Sequence, residues 1–168
     1  MEAALYAGQQ ELLHRYAAKK AVQDLRNRGD IDDALISCLN AFPLINYCRS
    51  ELRDEDKELL KEISSSATKS LRLRQFALSL MRQFKNHSDI KDYLYNLWKS
   101  STEYEIKIEA LWSLLIYGDL SEELYDDIRR SFSVAEWDKW LPLIVQKLGG
   151  EDKEKVEVKE LMSRLFNP

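Results

Sequence analysis

The sequence predicts an all-α chain in which antiparallel helical hairpins stack into an α-solenoid behind an N-terminal capping helix. Three observations point there. Apolar residues recur at helical spacing along almost the whole chain, while period-two alternation is short and rare. Caps and breakers cut this pattern into helices with short connections, which makes paired helices antiparallel neighbours. Finally, Leu73-Arg74, Ala77 and Leu80-Met81 align with Ile106-Lys107, Ala110 and Ser113-Leu114 at an offset of 33. Ile90 and Leu94-Tyr95 align in the same way with Leu120 and Leu124-Tyr125 at an offset of 30. A lone hairpin cannot bury its apolar face, so hairpins repeating at this period share a continuous core.

Taken in order, residues 2–28 read as one helix with Leu5, Leu12, Leu13, Tyr16, Val22 and Leu25 as its stripe, stopped at Gly29. Asp30 caps the next helix, which Pro43 bends or ends near Phe42 because proline has no amide hydrogen. Leu71-Arg72-Leu73-Arg74 alternates like a strand, but Phe76, Ala77, Leu80, Met81 and Phe84 continue it as a helix. Ile106-Lys107-Ile108 is continued likewise by Leu111, Leu114 and Leu115. Ser88 caps a helix over 89–99, and Thr102-Glu103-Tyr104-Glu105 forms a capping box. Gly118 closes that helix and Ser121 opens another. Ser133-Val134-Ala135-Glu136 is a second box, and Gly149-Gly150 precedes a last helix over about 152–166. The leading helices therefore start near 32, 70, 103 and 134, each followed by a shorter partner. The whole chain, 1–168, forms one domain: a capping helix over 1–29 and about four hairpins over 30–166.

Composition agrees with this. The 168 residues are 45% hydrophobic, 32% charged and 10% aromatic, enough for a core that withdraws roughly 70% of the unfolded surface. Five Gly and three Pro are too few for a linker-rich or disordered chain. A net charge of −4 provides no overall draw toward nucleic acid or an anionic membrane. Met1-Glu2-Ala3-Ala4-Leu5 lacks a basic region ahead of an apolar one, and the longest apolar run, Leu111–Tyr117, is far short of a bilayer span. The expectation is a cytoplasmic protein whose Cys38 and Cys48 are buried free thiols, with a disulfide between them as the alternative.

The repeats resemble HEAT repeats of the short kind found in phycobilisome-lyase-like proteins, best over 70–131. Ile106-Lys107, Ala110-Leu111, Leu114-Leu115, Gly118-Asp119 and Leu124 follow that family's order. Leu73-Arg74, Ala77-Leu78 and Leu80-Met81 follow it one unit earlier, with Asn86-His87 in place of the glycine turn. The resemblance implies a right-handed superhelix whose second helices line a concave surface, and implies no single activity. A non-repeating bundle and another kind of solenoid are the competing architectures. The tryptophan, glycine and tyrosine order of tetratricopeptide repeats is missing.

Catalytic chemistry finds little support. There is no GxSxG and no glycine-rich phosphate loop, and the histidines, His14 and His87, are far apart and read as surface residues. No clustered ligands suggest a metal, and no cofactor is expected. Asp32-Asp33, Asp54-Glu55-Asp56, Glu122-Glu123 and Asp126-Asp127 read as first-turn or exposed acids that favour the positive end of the helix dipole. Trp112 reads as core. Trp137 and Trp140 either plug the end of the stack or form an exposed ledge.

The candidate partner-binding residues are Lys91, Tyr95, Lys99, Tyr125 and Arg129, with Trp137 and Trp140 in support. Tyr95 and Tyr125 fall at matching repeat positions, as do Lys99 and Arg129, so a HEAT-like stack lines them up along one wall. Tyrosine and arginine suit recognition because each joins a large contact area to directed donors. The competing reading is that the tyrosines pack between repeats while the cations pair with Asp92, Asp126 or Glu122. The expected function is non-catalytic binding of another protein or peptide, as a scaffold, adaptor or regulatory subunit. The rival is nucleic-acid binding or a DNA-repair glycosylase on a HEAT-like scaffold. Lys69, Arg72, Arg74, Arg82 and Lys85, with no acid between them, offer an anionic partner its one docking place, but residues 85–168 carry 12 bases against 17 acids.

Overall fold

A computed structural model of the chain describes residues 2–41, 43–115 and 120–131, with isolated positions 135, 136, 139 and 163. Among the described residues the chain is all-helical, without a strand. The order is α1 (Glu2–Arg28), α2 (Asp33–Leu39), α3 (Leu44–Ser50), α4 (Asp56–Ser65), α5 (Leu71–Leu80), a 3-10 turn (Met81–Phe84), α6 (Ser88–Ser100), α7 (Tyr104–Leu115) and α8 (Glu122–Arg130). The chain divides into two compact units, Met1–Leu114 and Leu115–Pro168.

Local chemistry explains most of the boundaries. Gly29 adopts φ +62 and donates its amide to Leu25 O at 2.8 Å, a left-handed stop that suits glycine. The next cap is Asp32, not Asp30: its Oδ1 accepts the Ala34 amide at 2.8 Å. Pro43 ends the α2 pattern and stands at the start of α3, where a missing amide costs nothing. Ser70 and Ser121 accept from the amides of Leu73 and Leu124, both at 3.2 Å. His87 rather than Ser88 occupies the cap position of α6. At α7 the helical ladder begins with Glu103 O accepting the Lys107 amide at 2.9 Å, and Ser101 Oγ accepts the Glu103 amide at 3.3 Å. The helix entry is therefore built from Ser101 and Glu103, where the sequence suggested a box from Thr102 to Glu105. The helix end expected at Gly118, the box at 133–136 and the last helix over about 152–166 lie outside the described residues, apart from isolated positions.

In the first unit α5 is the central element. Leu73, Arg74, Phe76, Ala77, Leu78 and Leu80 are buried, and the helix packs against α2, α3 and α4. Ala77 on α5 and Ala110 on α7, which the 33-residue offset aligns, are both fully buried. Helix α6 inserts Ile90, Leu94 and Trp98, spaced four apart, so Trp98 completes the stripe where Leu97 was expected. Leu111 to Leu115 are buried on α7, as the apolar run predicts. The helix lengths and number refine the expectation. Helix α6, with 13 residues, is barely shorter than the 14 helical residues from Leu71 to Phe84, whose last turn tightens to 3-10, and α4 is an additional helix within the first stretch.

Helix α1 carries a larger correction. Its C-terminal part buries Ala18, Ala21, Val22 and Leu25 and packs on α3, whereas Leu5, Leu12, Leu13 and Tyr16 are about two thirds exposed. At 3.6 residues per turn those side chains lie on the side of the helix opposite Leu25. They are not one stripe.

Several polar contacts between helices join residues about 30 apart in sequence. Arg26 reaches Asp56, Lys57 Nζ donates to His87 Nδ1, and Arg49 Nε donates to Ser79 O, each 30 residues apart. Ser64 meets Tyr93 and Arg74 meets Glu103 at a separation of 29. Ser113 Oγ donates to Leu78 O at a separation of 35.

Candidate functional site

Lys91, Tyr95 and Lys99 all stand on α6, outside its buried stripe of Ile90, Leu94 and Trp98. Trp98, which Tyr95 and Lys99 contact, is buried, with a relative exposure of 1%. The half-buried Tyr95 ring meets Trp98 edge-on, with centroids 5.9 Å apart and planes at 64°. The exposed Lys99 ammonium lies 4.8 Å from the Trp98 centroid and 5.9 Å from that of Tyr95. One cation over two aromatic faces is a favourable electrostatic arrangement. It presents a positive charge and a phenol rim from a spot anchored in the core.

The far side of α6 is committed to structure. Tyr93 Oη lies 2.7 Å from Ser64 Oγ and donates to Lys61 O at 3.0 Å. Asp89 is bridged by Lys61 at 3.3 Å and Lys57 at 3.5 Å. Burial works against its ionised form, but the two ammonium groups outweigh that and hold its carboxyl below the usual range. His87 is half-buried, edge-on to Phe84 at 5.5 Å, rather than a free loop histidine.

Tyr125 and Arg129 belong to α8 in the second unit. Tyr125 is buried, with a relative exposure of 1%, so its ring contributes packing. Arg129 is held by Asp126 and Glu122 of its own helix, the pairing that the competing reading named. Trp137 and Trp140 lie outside the described residues.

The basic set of α5 and the following turn is largely turned inward. Arg74 is buried, with Nη1 on both Glu103 oxygens at 2.8 and 2.9 Å and Nε on Ser64 O. Arg82 reaches the buried Glu109 at 3.7 Å and stacks 5.7 Å from the Trp112 centroid. Arg72 donates to Ser37. Among these cations, Arg74 and Arg82 are structural rather than a dock for anions.

The pair Arg26–Asp56 escaped the sequence reading, which placed Asp56 among exposed acids. Arg26 donates Nε to Oδ1 at 2.9 Å and Nη2 to Oδ2 at 2.8 Å, while the Arg53 amide donates to Oδ2 at 2.7 Å. The Arg26 fork holds the Asp56 carboxyl below its ordinary range against the opposing effect of burial. The available signal was an Arg and an Asp one repeat period apart. Cys48 is buried, its thiol pushed up to about 12 by that burial, whereas Cys38 is exposed; both are free.

Among the described residues no three His, Cys, Asp or Glu side chains gather as a metal-binding group. No described helix is long and apolar enough to cross a membrane. No protein-family model, curated protein or solved structure matches this chain.

Proposed function

We propose that the chain is a non-catalytic protein-binding module, a HEAT-like right-handed stack of hairpins that engages its partner through α6 and the elements equivalent to it. The carrying observation is Tyr95 and Lys99 held over the buried Trp98. An anchored aromatic beside a cation gives a partner contact area at small ordering cost. The recurrence of polar contacts near 30 residues supports the stacked arrangement, since it ties α1 to α4, α3 to α5 and α4 to the start of α6. The inward commitment of Arg74 and Arg82 weighs against the nucleic-acid rival.

The test is capture by the immobilised full chain, with captured proteins identified by mass spectrometry and each titrated individually. Lys91→Glu/Lys99→Glu reverses the charge on this side of α6 and removes the cation from the Trp98 face, so its stability stays within about 1 kcal/mol of the parent. At least one partner then binds tenfold or more weakly. Equal binding of every partner by parent and variant overturns the assignment to α6.

A further inference from the structure

The first half of α1 is an exposed helix with an apolar side. From Glu2 to Tyr16 every residue is exposed except His14, which is half-buried. Leu5 and Tyr6 are 64% exposed, Leu13 and Tyr16 67% and Leu12 69%. Leu5–Leu12 and Tyr6–Leu13 are each seven apart, and Leu5, Gln9, Leu12 and Tyr16 follow alternating steps of four and three. That is the seam spacing of two helices packed along their length. Exposed contiguous apolar surface on this scale marks an interaction site. An isolated helix of about 15 residues is also marginal in water, so this segment gains order from whatever covers it.

Charge selects the occupant. Glu2 stands at one end of the apolar face and Lys20 at the other, with Lys19 beside it, and all three are exposed. Glu11 and Arg15 pair within the helix at 2.8 Å, off that face. A second copy laid antiparallel brings Glu2 of each chain beside Lys19 and Lys20 of the other, with Leu5 and Tyr6 alongside Tyr16. A parallel copy sets like charges against each other at both ends. The five large side chains expose on the order of 700 Å² per chain, close to the roughly 800 Å² that each partner contributes to a stable interface.

We propose that residues 2–20 of α1 form an antiparallel, two-fold self-association surface, joining two copies of the chain through Leu5, Tyr6, Leu12, Leu13 and Tyr16. This surface is separate from α6, so the two assignments stand or fall independently.

Sedimentation equilibrium of the full chain, run from about 1 to 200 µM, tests it. A concentration-dependent dimer is expected. Leu12→Glu/Leu13→Glu weakens it a hundredfold or more, and because both side chains are exposed the denaturation midpoint of the remaining helices is kept. Glu2→Lys alone and Lys19→Glu/Lys20→Glu alone each weaken it about three- to tenfold, and the three changes together restore it. A monomer throughout the range overturns the proposal, as does a dimer indifferent to Leu12→Glu/Leu13→Glu. Failure of the combined reversal to restore affinity overturns the antiparallel arrangement. Binding of the monomer to phosphatidylcholine vesicles through the same leucines assigns the face to lipid and equally overturns the proposal.

Discussion

The fate of a charged side chain in this chain depends on what the fold sets against it from some 30 residues away. Asp56 looks like its neighbours Asp54 and Glu55, yet it alone of the three is buried and gripped by a guanidinium fork and a backbone amide. Removing its charge leaves Arg26 partly desolvated, so Asp56→Asn is expected to cost about 2 to 4 kcal/mol in urea denaturation at pH 7. The sign of its pH dependence follows from its depressed folded value. The ionised pair stabilises the fold above the ordinary carboxylate value of about 3.9, and that contribution is lost as the pH falls through the lower folded value. Stability measured in steps from pH 5 to pH 2 should therefore fall less steeply in Asp56→Asn than in the parent. Parallel acid limbs would show that the pair contributes nothing.

At the scale of the element, two glycines of α1 and its end make opposite demands. Gly8 lies within the exposed half of the helix, and an added Cβ there meets nothing within 4 Å. Gly8→Ala should stabilise the helix by about 0.8 kcal/mol, read as a gain in helical circular dichroism. Gly29 sits at φ +62, so Gly29→Ala should destabilise the chain by about 1 kcal/mol although its new Cβ meets only Lys69 Nζ, at 3.7 Å. The same substitution thus has opposite signs at the two positions, because one asks for helical backbone and the other for its left-handed mirror. Helix ends set by such local geometry are legible: α1 ends at Gly29, a helix starts near 70, and Ser121 caps the helix it was read to open. The cap of α2 was misplaced by two residues because Asp30, Asp32 and Asp33 are chemically near-equivalent, and only the hydrogen bond to Ala34 distinguishes Asp32. On α6, Trp98 and Leu97 are both apolar, so packing alone decided which completes the buried stripe.

Across the whole molecule, charge is organised by burial more than by composition. The most basic stretch, from Lys69 to Lys85, turns Arg74 toward Glu103 and Arg82 toward Glu109 and Trp112. With two cations so engaged and a net charge of −4, the full chain should leave a 30-base-pair DNA duplex unshifted at 50 mM salt and 10 µM protein. A tight shift that weakens steeply between 50 and 200 mM salt would instead favour the nucleic-acid rival.

The sequence by itself determined that the chain is helical and where most helices begin and end, because periodicity, caps and breakers act within a few residues of one another. It also placed Ala77 and Ala110 on the apolar side of their helices, and both are buried. Only the tertiary structure decided which of the two apolar faces of α1 is covered, that Asp56 is internal, and that Tyr125 packs instead of lining a wall. Those outcomes depend on which surfaces meet across some 30 residues of chain, and a side chain's type does not encode what will be placed against it.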